Sequence, residues 1–282
     1  MIDPIAESGA APTAEIAPSV RRHAAFKSAL LAADRDLVVY VPPGYERDAA
    51  RRYPVLYLQD GQNLFDAATA FVPGQYWRVN DTADALIEAG VIEPLIIVGV
   101  YNTGPRRIVE YTPTRDRRQR AGGHADLYGR LLVEELKPFV DREYRTLTDA
   151  PHTGLGGSSL GALASLYIGL RYPTIFGKLA VLSPSVWWDN RMILRAVRKA
   201  RPEPRPSIWL DIGTGEGGKT LRDARQLRDE LVRSGWVLGS NLAYVEIPGA
   251  GHNEAAWAER VGPVLHFLFP AQTRRDPAAI ST

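Results

Sequence analysis

Gly157-Ser158-Ser159-Leu160-Gly161 reads G-x-S-x-G, follows an apolar run and opens a small-residue helical pattern from Leu160 to Arg171. A serine hydroxyl is a poor nucleophile until a fold holds it exposed, beside a base and facing amide donors. A sharp turn from strand to helix does this, and its glycines are what a strained turn without room for side chains requires. The pentapeptide therefore marks Ser159 as candidate nucleophile, with Ser158 at an x position from which its side chain points elsewhere. The plain alternative is a glycine-rich turn without chemistry.

A base must come from the five histidines. His266 stands among Leu265, Phe267 and Leu268 as a helix residue, and His152 precedes the strand leading into the turn. His23 and His124 lie in segments without other site signals. His252, in Pro248-Gly249-Ala250-Gly251-His252-Asn253, follows the last strand candidate on a glycine-rich loop that can bring an imidazole back over a sheet edge. The acid that orients an imidazole and stabilises its charged form has two candidates. Glu216, in Gly213-Thr214-Gly215-Glu216, lies beyond the strand Ser207–Ile212 and is free to reach a loop. Asp211 lies within that strand and reads equally as a buried polar residue bonded to backbone; it is the alternative acid. An oxyanion needs two donors. One is the N–H of Leu160 at the helix start, and the other is the N–H of Gln62 in Asp60-Gly61-Gln62-Asn63, where Gly61 permits the turn and Asp60 reads as turn-stabilising.

These groups are scattered and need a scaffold. Strand candidates are Leu37–Val41, Tyr53–Leu58, Leu95–Val100, His152–Leu155, Lys178–Leu182, Ser207–Ile212 and Leu242–Ile247, several of them apolar almost throughout. Such runs suit a parallel sheet covered on both faces. Helical spacing recurs in Ala125–Tyr144, where Leu127, Leu131, Leu132, Leu136, Phe139 and Val140 form one stripe, and again in Leu221–Arg233 and Glu254–Phe269. Alternating strands and helices imply a three-layer α/β sandwich. In it functional groups gather at the carboxyl ends of strands, where Gln59–Asn63, Gly157–Gly161, Gly213–Glu216 and Gly249–Asn253 all fall. The 282 residues suit one domain over residues 21–270, with a flexible leader at 1–20 and a flexible tail at 271–282. A net charge of +2 without a lysine–arginine block argues against a nucleic-acid partner. The absence of cysteine excludes disulfides, thiolate metal sites and a cysteine nucleophile. No secretion signal and no run of roughly 18 apolar residues occurs, so no membrane partner and a cytoplasmic location are expected.

Together these residues resemble the putative-esterase family of α/β-hydrolases, which includes siderophore (enterochelin) esterases, S-formylglutathione hydrolases, feruloyl and acetyl-xylan esterase domains and mycolyltransferases. The resemblance runs from about Val38 through Tyr53–Leu58 with Asp60–Phe65, Glu110-Tyr111-Thr112-Pro113, the serine turn, Tyr172-Pro173, Ser183-Pro184-Ser185 with Trp187-Trp188, Gly213–Glu216 and Gly251–Glu254. Ala162 departs from it, where many relatives carry glycine. It implies an α/β-hydrolase fold without a large cap domain and a serine esterase with Ser159, Glu216 and His252 as its triad, in the chain order serine, acid, histidine. It needs no metal or organic cofactor, and its partner is a small-molecule or polymer-linked ester. Acyl transfer to an alcohol at the same site, or a silent binding protein on this scaffold, are the alternatives.

A rival motif overlaps the acid. Gly213–Thr220 satisfies G-x-x-x-x-G-K-[ST], between a strand and a helix, as a phosphate-binding loop would. Too little chain follows for the rest of a nucleotide-binding sheet, and Leu242–Ile247 does not end in aspartate. On the substrate side, Trp187 and Trp188 read as walls of an acyl or aryl pocket or as ordinary packing, with Gln75-Tyr76-Trp77 as another wall. The arginines between Tyr101 and Ala125 read as a solvated loop or as a contact for an anionic substrate.

Overall fold

Strands that are apolar at every position can bury both faces of a sheet, and the chain uses its apolar runs in this way. The computed structural model describes residues 19–271. Its strands are β1 (Val20–Phe26), β2 (Arg35–Tyr40), β3 (Val55–Gln59), β4 (Ile96–Val100), the short pair β5 (Arg115–Asp116) and β6 (Ala121–Gly122), β7 (Thr153–Ser158), β8 (Lys178–Leu182), β9 (Ser207–Gly213) and β10 (Leu242–Ile247). All but β5 and β6 form one eight-stranded sheet in the order β1-β2-β4-β3-β7-β8-β9-β10. β1 and β2 run antiparallel to their neighbours, and the remaining pairings are parallel.

Helices cover both faces: α1 (Val79–Glu88), α2 (Arg107–Glu110), α3 (Ala125–Arg130), α4 (Lys137–Glu143), α5 (Ser159–Arg171), α6 (Trp188–Lys199), α7 (Gly218–Arg233), α8 (Glu254–Ala258) and α9 (Val261–Leu268). The period-2 alternation of strand side chains divides the core in two. Val55, Tyr57, Leu155, Leu179, Val181 and Leu210 face a layer built from α3 to α7. Leu56, Leu58, Ile97, Ala180, Leu182 and Trp209 face α1, α8 and α9. Helix α5 is buried almost all round, its small residues Ala162 and Ala164 allowing close approach to the sheet, while Leu163 and Leu166 are fully covered. Burying each of those leucines contributes about 1.5–3 kcal/mol.

Several differences from the sequence reading have local causes. β1 lay outside the expected elements because VRRHAAF is an edge strand with largely exposed side chains. Val20, the last residue assigned to the leader, belongs to it and pairs with Tyr40; the rest of the leader (1–18) and most of the tail (272–282) lie outside the described residues. The single helix expected over Ala125–Tyr144 widens to a π-helix at Leu131–Leu136, just before Pro138. A proline lacks an N–H and crowds the carbonyl four residues back, and a wider turn relieves both. The helix expected over Glu254–Phe269 breaks at Arg260, which places Pro263 in the first turn of α9, where no N–H is missed. Among the described residues no helix is long and apolar enough to cross a membrane.

Candidate active site

Parallel strands put the carboxyl ends of β3, β7, β8, β9 and β10 on one rim of the sheet, and every expected site segment follows one of them. Ser159 is the first residue of α5 and sits at φ 56°, in the left-handed region. A non-glycine residue there costs of order 1–3 kcal/mol and persists only where its surroundings enforce it. The enforcement is visible. A Cβ on Gly157 would stand 2.9 Å from Cβ of Gln59, so only glycine lets β7 turn this tightly against β3. The Ser159 carbonyl is held by the N–H of Ser185 at 3.1 Å.

The strained turn aims the hydroxyl at a histidine. Ser159 Oγ lies 3.0 Å from His252 Nε2, and His252 Nδ1 lies 2.7 Å from Glu216 Oε2. The structure thus brings together the three residues expected to meet. The His252 loop is tied to the Glu216 loop: the N–H of Gly215 donates to the Ala250 carbonyl at 3.0 Å, and that of Gly249 to Thr214 Oγ1 at 2.8 Å. Asn253 caps α8 by accepting from the Ala256 N–H at 2.9 Å, which fixes the chain just after the imidazole. The ring itself packs edge-on against Trp257 at 4.9 Å between centroids.

The Glu216 side chain is 1% exposed while that of His252 is 41% exposed, so the carboxylate is walled in and the base is open to the cavity. Burial pushes the Glu216 carboxyl up, but hydrogen bonds from His252, from Ser183 Oγ and from the Gly213 N–H outweigh it and hold it below its ordinary value. Ser183, at φ 45°, belongs to the Ser183-Pro184-Ser185 segment of the resemblance, which assigned it no role. Its hydroxyl donates to Glu216 Oε1 at 2.5 Å and accepts from Trp257 Nε1 at 3.1 Å and Arg260 Nη1 at 2.8 Å. One donor and two acceptor sites are all a hydroxyl has, so its orientation is fully determined. Nothing in the local pattern flags Trp257 or Arg260 or gives Ser183 this role, since each is an ordinary residue until the fold closes around Glu216.

Asp211, the alternative acid, is fully buried and does not reach His252. It accepts from Arg260 Nη1 at 2.9 Å, Trp209 Nε1 at 2.9 Å and the Ser183 N–H at 3.2 Å. Burial pushes its carboxyl up, and Arg260 with Trp209 offsets part of that. Its place is beneath the site, where it anchors Arg260. Within the phosphate-loop pattern, the Glu216 carboxylate folds back to accept from the N–H of Gly213 at 2.9 Å.

The loop after β3 faces Ser159 from the other side. Gly61 packs so close to β4 that a Cβ would stand 2.5 Å from the Gly99 carbonyl carbon. Asp60, at φ 58°, clamps Arg107 through two 2.7 Å contacts and accepts from Asn102 Nδ2 at 2.7 Å. The Gln62 side chain accepts from the Asn102 N–H at 3.3 Å, and its carbonyl accepts from Thr69 Oγ1 at 2.7 Å. These contacts fix the Gly61–Asn63 turn beside Ser159. Leu160 lies in the first turn of α5, where N–H groups have no intrahelical acceptor.

Ser159, His252 and Gln62 open into a cavity of about 670 Å³, together with Arg107, Phe71 and Trp257. Phe71 stands on its rim 81% exposed. Of the other expected walls, Gln75 lines the cavity, whereas Tyr76 faces a separate cleft and Trp77 is buried against Trp257. Neither Trp187 nor Trp188 lines it. Trp188 is fully buried with its indole N–H on the Thr114 carbonyl at 2.9 Å, and Trp187 lines a different cleft. Their spacing after a strand end could not tell which side of the Ser185 turn they would take.

Comparison with known proteins gives the chain a family. The profile of the family described as "Putative esterase" matches residues 28–266. The uncharacterized protein YbbA of Bacillus subtilis is 24% identical over 250 residues, spanning 84% of this chain and 94% of its own. The ferri-bacillibactin esterase BesA of Bacillus subtilis is 32% identical over 227 residues, spanning 71% of this chain and 73% of its own. Among solved structures, the BES protein from Bacillus cereus superposes with a TM-score of 0.73 at 22% identity, covering 93% of this chain and 99% of that one, a likeness of fold. With a family profile spanning most of its length, the chain belongs to the Putative esterase family and is a hydrolase of carboxylic esters.

Proposed function

We propose that the protein cleaves its ester through an acyl-enzyme formed on Ser159. With Nδ1–H of His252 donated to Glu216, the Nε2 lone pair faces Ser159 Oγ. His252 takes the hydroxyl proton as Oγ attacks the ester carbonyl, and Glu216 stabilises the imidazolium that forms. The N–H groups of Leu160 and Gln62 hold the oxyanion; each such donor is worth about 10²–10³ in rate. His252 then gives its proton to the leaving alkoxide, and water repeats the sequence on the acyl-enzyme. The scheme draws on no metal or organic cofactor. The single observation that carries it is the unbroken chain of contacts from Ser159 Oγ to Glu216 Oε2, opening into the large cavity.

The shape of that cavity supports bulky as well as small esters. Amide side chains of Gln62, Asn63, Gln75, Asn102 and Asn253 line it, and Phe71 offers an aromatic platform at its mouth. Siderophore and feruloyl esterases among the relatives suggest where to begin. A panel of feruloyl, acetyl-sugar, siderophore-lactone and thioester substrates, with Ser159→Ala as control, tests the reading. Turnover of at least one bulky ester that vanishes in Ser159→Ala is expected. Selectivity for acetyl and butyryl nitrophenyl esters alone would contradict the open-site reading, and turnover surviving in Ser159→Ala would contradict the mechanism.

A further inference from the structure

A second cleft, of about 200 Å³, is lined by Asp116, Arg118, Gln119, Trp187, Asn190 and Lys219. It shares no lining residue with the cavity that holds Ser159. Its construction is specific. Trp187 is 40% exposed, an unusual setting for the largest side chain, while its neighbour Trp188 is anchored in the core. The chain that follows runs through three consecutive left-handed residues, Asp189, Asn190 and Arg191, at φ 40°, 52° and 58°. Such a run is sterically disfavoured for L-residues and is held from outside: Asp189 N–H donates to Asp116 at 3.0 Å, Thr114 Oγ1 to Asp189 at 2.6 Å, and Arg191 Nε to Asp223 at 2.6 Å.

Two cations line the same cleft. Arg118 and Lys219 are exposed, and among the described residues neither takes part in an ion pair. The one carboxylate present, Asp116, is already met by the backbone N–H groups of Arg118 at 2.6 Å, Gln119 at 3.0 Å and Asp189. The cleft is thus net positive beside an exposed aromatic face. Lys219 is the lysine of the phosphate-loop pattern, which the catalytic reading leaves without a role.

We propose that this cleft is a binding subsite for a planar aromatic carboxylate, its ring against Trp187 and its charge between Arg118 and Lys219. Trp187 is two residues from Ser185, whose Oγ is 3.3 Å from Ser159 Oγ, and Lys219 is three residues from Glu216. Extended chain covers at most roughly 3.5 Å per residue, so the backbone of Trp187 lies within roughly 15 Å of the reacting oxygen. An ester held at Ser159 could therefore place an anionic aromatic end there. That use in ester selection rests on the proposed Ser159 chemistry; binding itself does not.

Calorimetry with 2-naphthoate and its neutral analogue 2-naphthamide, on the wild type and on Ser159→Ala, separates the two. Saturable binding of naphthoate by both proteins is expected, at least tenfold tighter than the amide and weakened at least tenfold by Lys219→Met and by Trp187→Ala. Both positions are exposed, and circular dichroism checks that the variants fold. Saturating naphthoate leaves nitrophenyl acetate turnover unchanged, because the cleft is separate from the catalytic cavity. Absent binding, binding indifferent to both substitutions, or competition with nitrophenyl acetate would each overturn the proposal. So would Mg-ATP binding that depends on Lys219 while naphthoate stays silent, which would return the motif to a phosphate loop. Naphthoate bound by a protein inert toward every ester sinks only the Ser159 chemistry.

Discussion

Two buried carboxylates stand near His252, and substituting each by its amide separates their roles. In Glu216→Gln the new NH₂ must choose between two positions. The Oε1 position is surrounded by donors, the Ser183 hydroxyl at 2.5 Å, the Gly213 N–H at 2.9 Å and the Arg260 guanidinium at 3.6 Å. A second set of donors is repelled there, so the amide nitrogen turns toward His252 Nδ1, where Oε2 stood at 2.7 Å. The imidazole then accepts at Nδ1, carries its proton on Nε2, and points that proton at Ser159 instead of a lone pair. Loss of the correct tautomer costs about 10⁴-fold in kcat in serine proteases, or about 5.5 kcal/mol at 1.36 kcal/mol per tenfold. Asp211→Asn has a different signature. It leaves the buried Arg260 guanidinium without its carboxylate, and breaking a buried pair this way costs about 3–5 kcal/mol of stability. Arg260 keeps the Gly251 carbonyl at 3.3 Å and Glu216 at 3.6 Å, which favours the lower end. A loss of about 3 kcal/mol lowers Tm by roughly 6–12 °C in a domain of this size, while kcat per folded molecule stays of the wild-type order. Nitrophenyl ester kinetics and thermal unfolding of both variants decide it. A fully active Glu216→Gln beside an inactive but stable Asp211→Asn would refute the assignment.

Three further outcomes follow from the same geometry. Gly157→Ala forces a methyl to 2.9 Å from Gln59 Cβ; overpacking of this kind destabilises by about 1–3 kcal/mol, read as a lower urea midpoint, and an unchanged midpoint would mean the turn is slack. The Glu216 carboxyl is held below its ordinary value of 4.5 in the fold, so its stabilisation is fully present above pH 4.5 and is lost as pH falls through the lowered folded value. The stability gap between wild type and Glu216→Gln, measured by urea unfolding, should therefore narrow from pH 7 to pH 3.5, and a gap that stays constant contradicts the sign. Phe71→Ala, at an 81% exposed position, should leave stability within about 0.5 kcal/mol and raise KM for bulky aryl esters more than for nitrophenyl acetate; equal effects on both would remove Phe71 from the substrate path.

The sequence was most legible where one residue type answers one physical demand. Apolar runs marked β3, β4 and β8 because a doubly covered strand has no polar face. The glycines around Ser159 marked the tight turn because nothing larger fits against Gln59. The loop position of His252 and the reach of Glu216 beyond β9 followed from strand ends alone. What stayed hidden depends on closure of the chain. Ser183, Trp257 and Arg260 become a network only when β8, β9 and α8 meet. Trp187 and Trp188 share a dipeptide yet point into a cleft and into the core, because the left-handed run after them, set by Asp116 and Asp223, turns the chain. No window of sequence around residue 187 contains that information.

Active-site labelling offers the most direct measurement. Reaction with a fluorophosphonate followed by peptide mass spectrometry should give one adduct per chain, on Ser159, absent in Ser159→Ala and formed at least about 10³-fold more slowly in His252→Ala. An adduct on another residue, or labelling that proceeds at the wild-type rate without the His252 imidazole, would contradict the account.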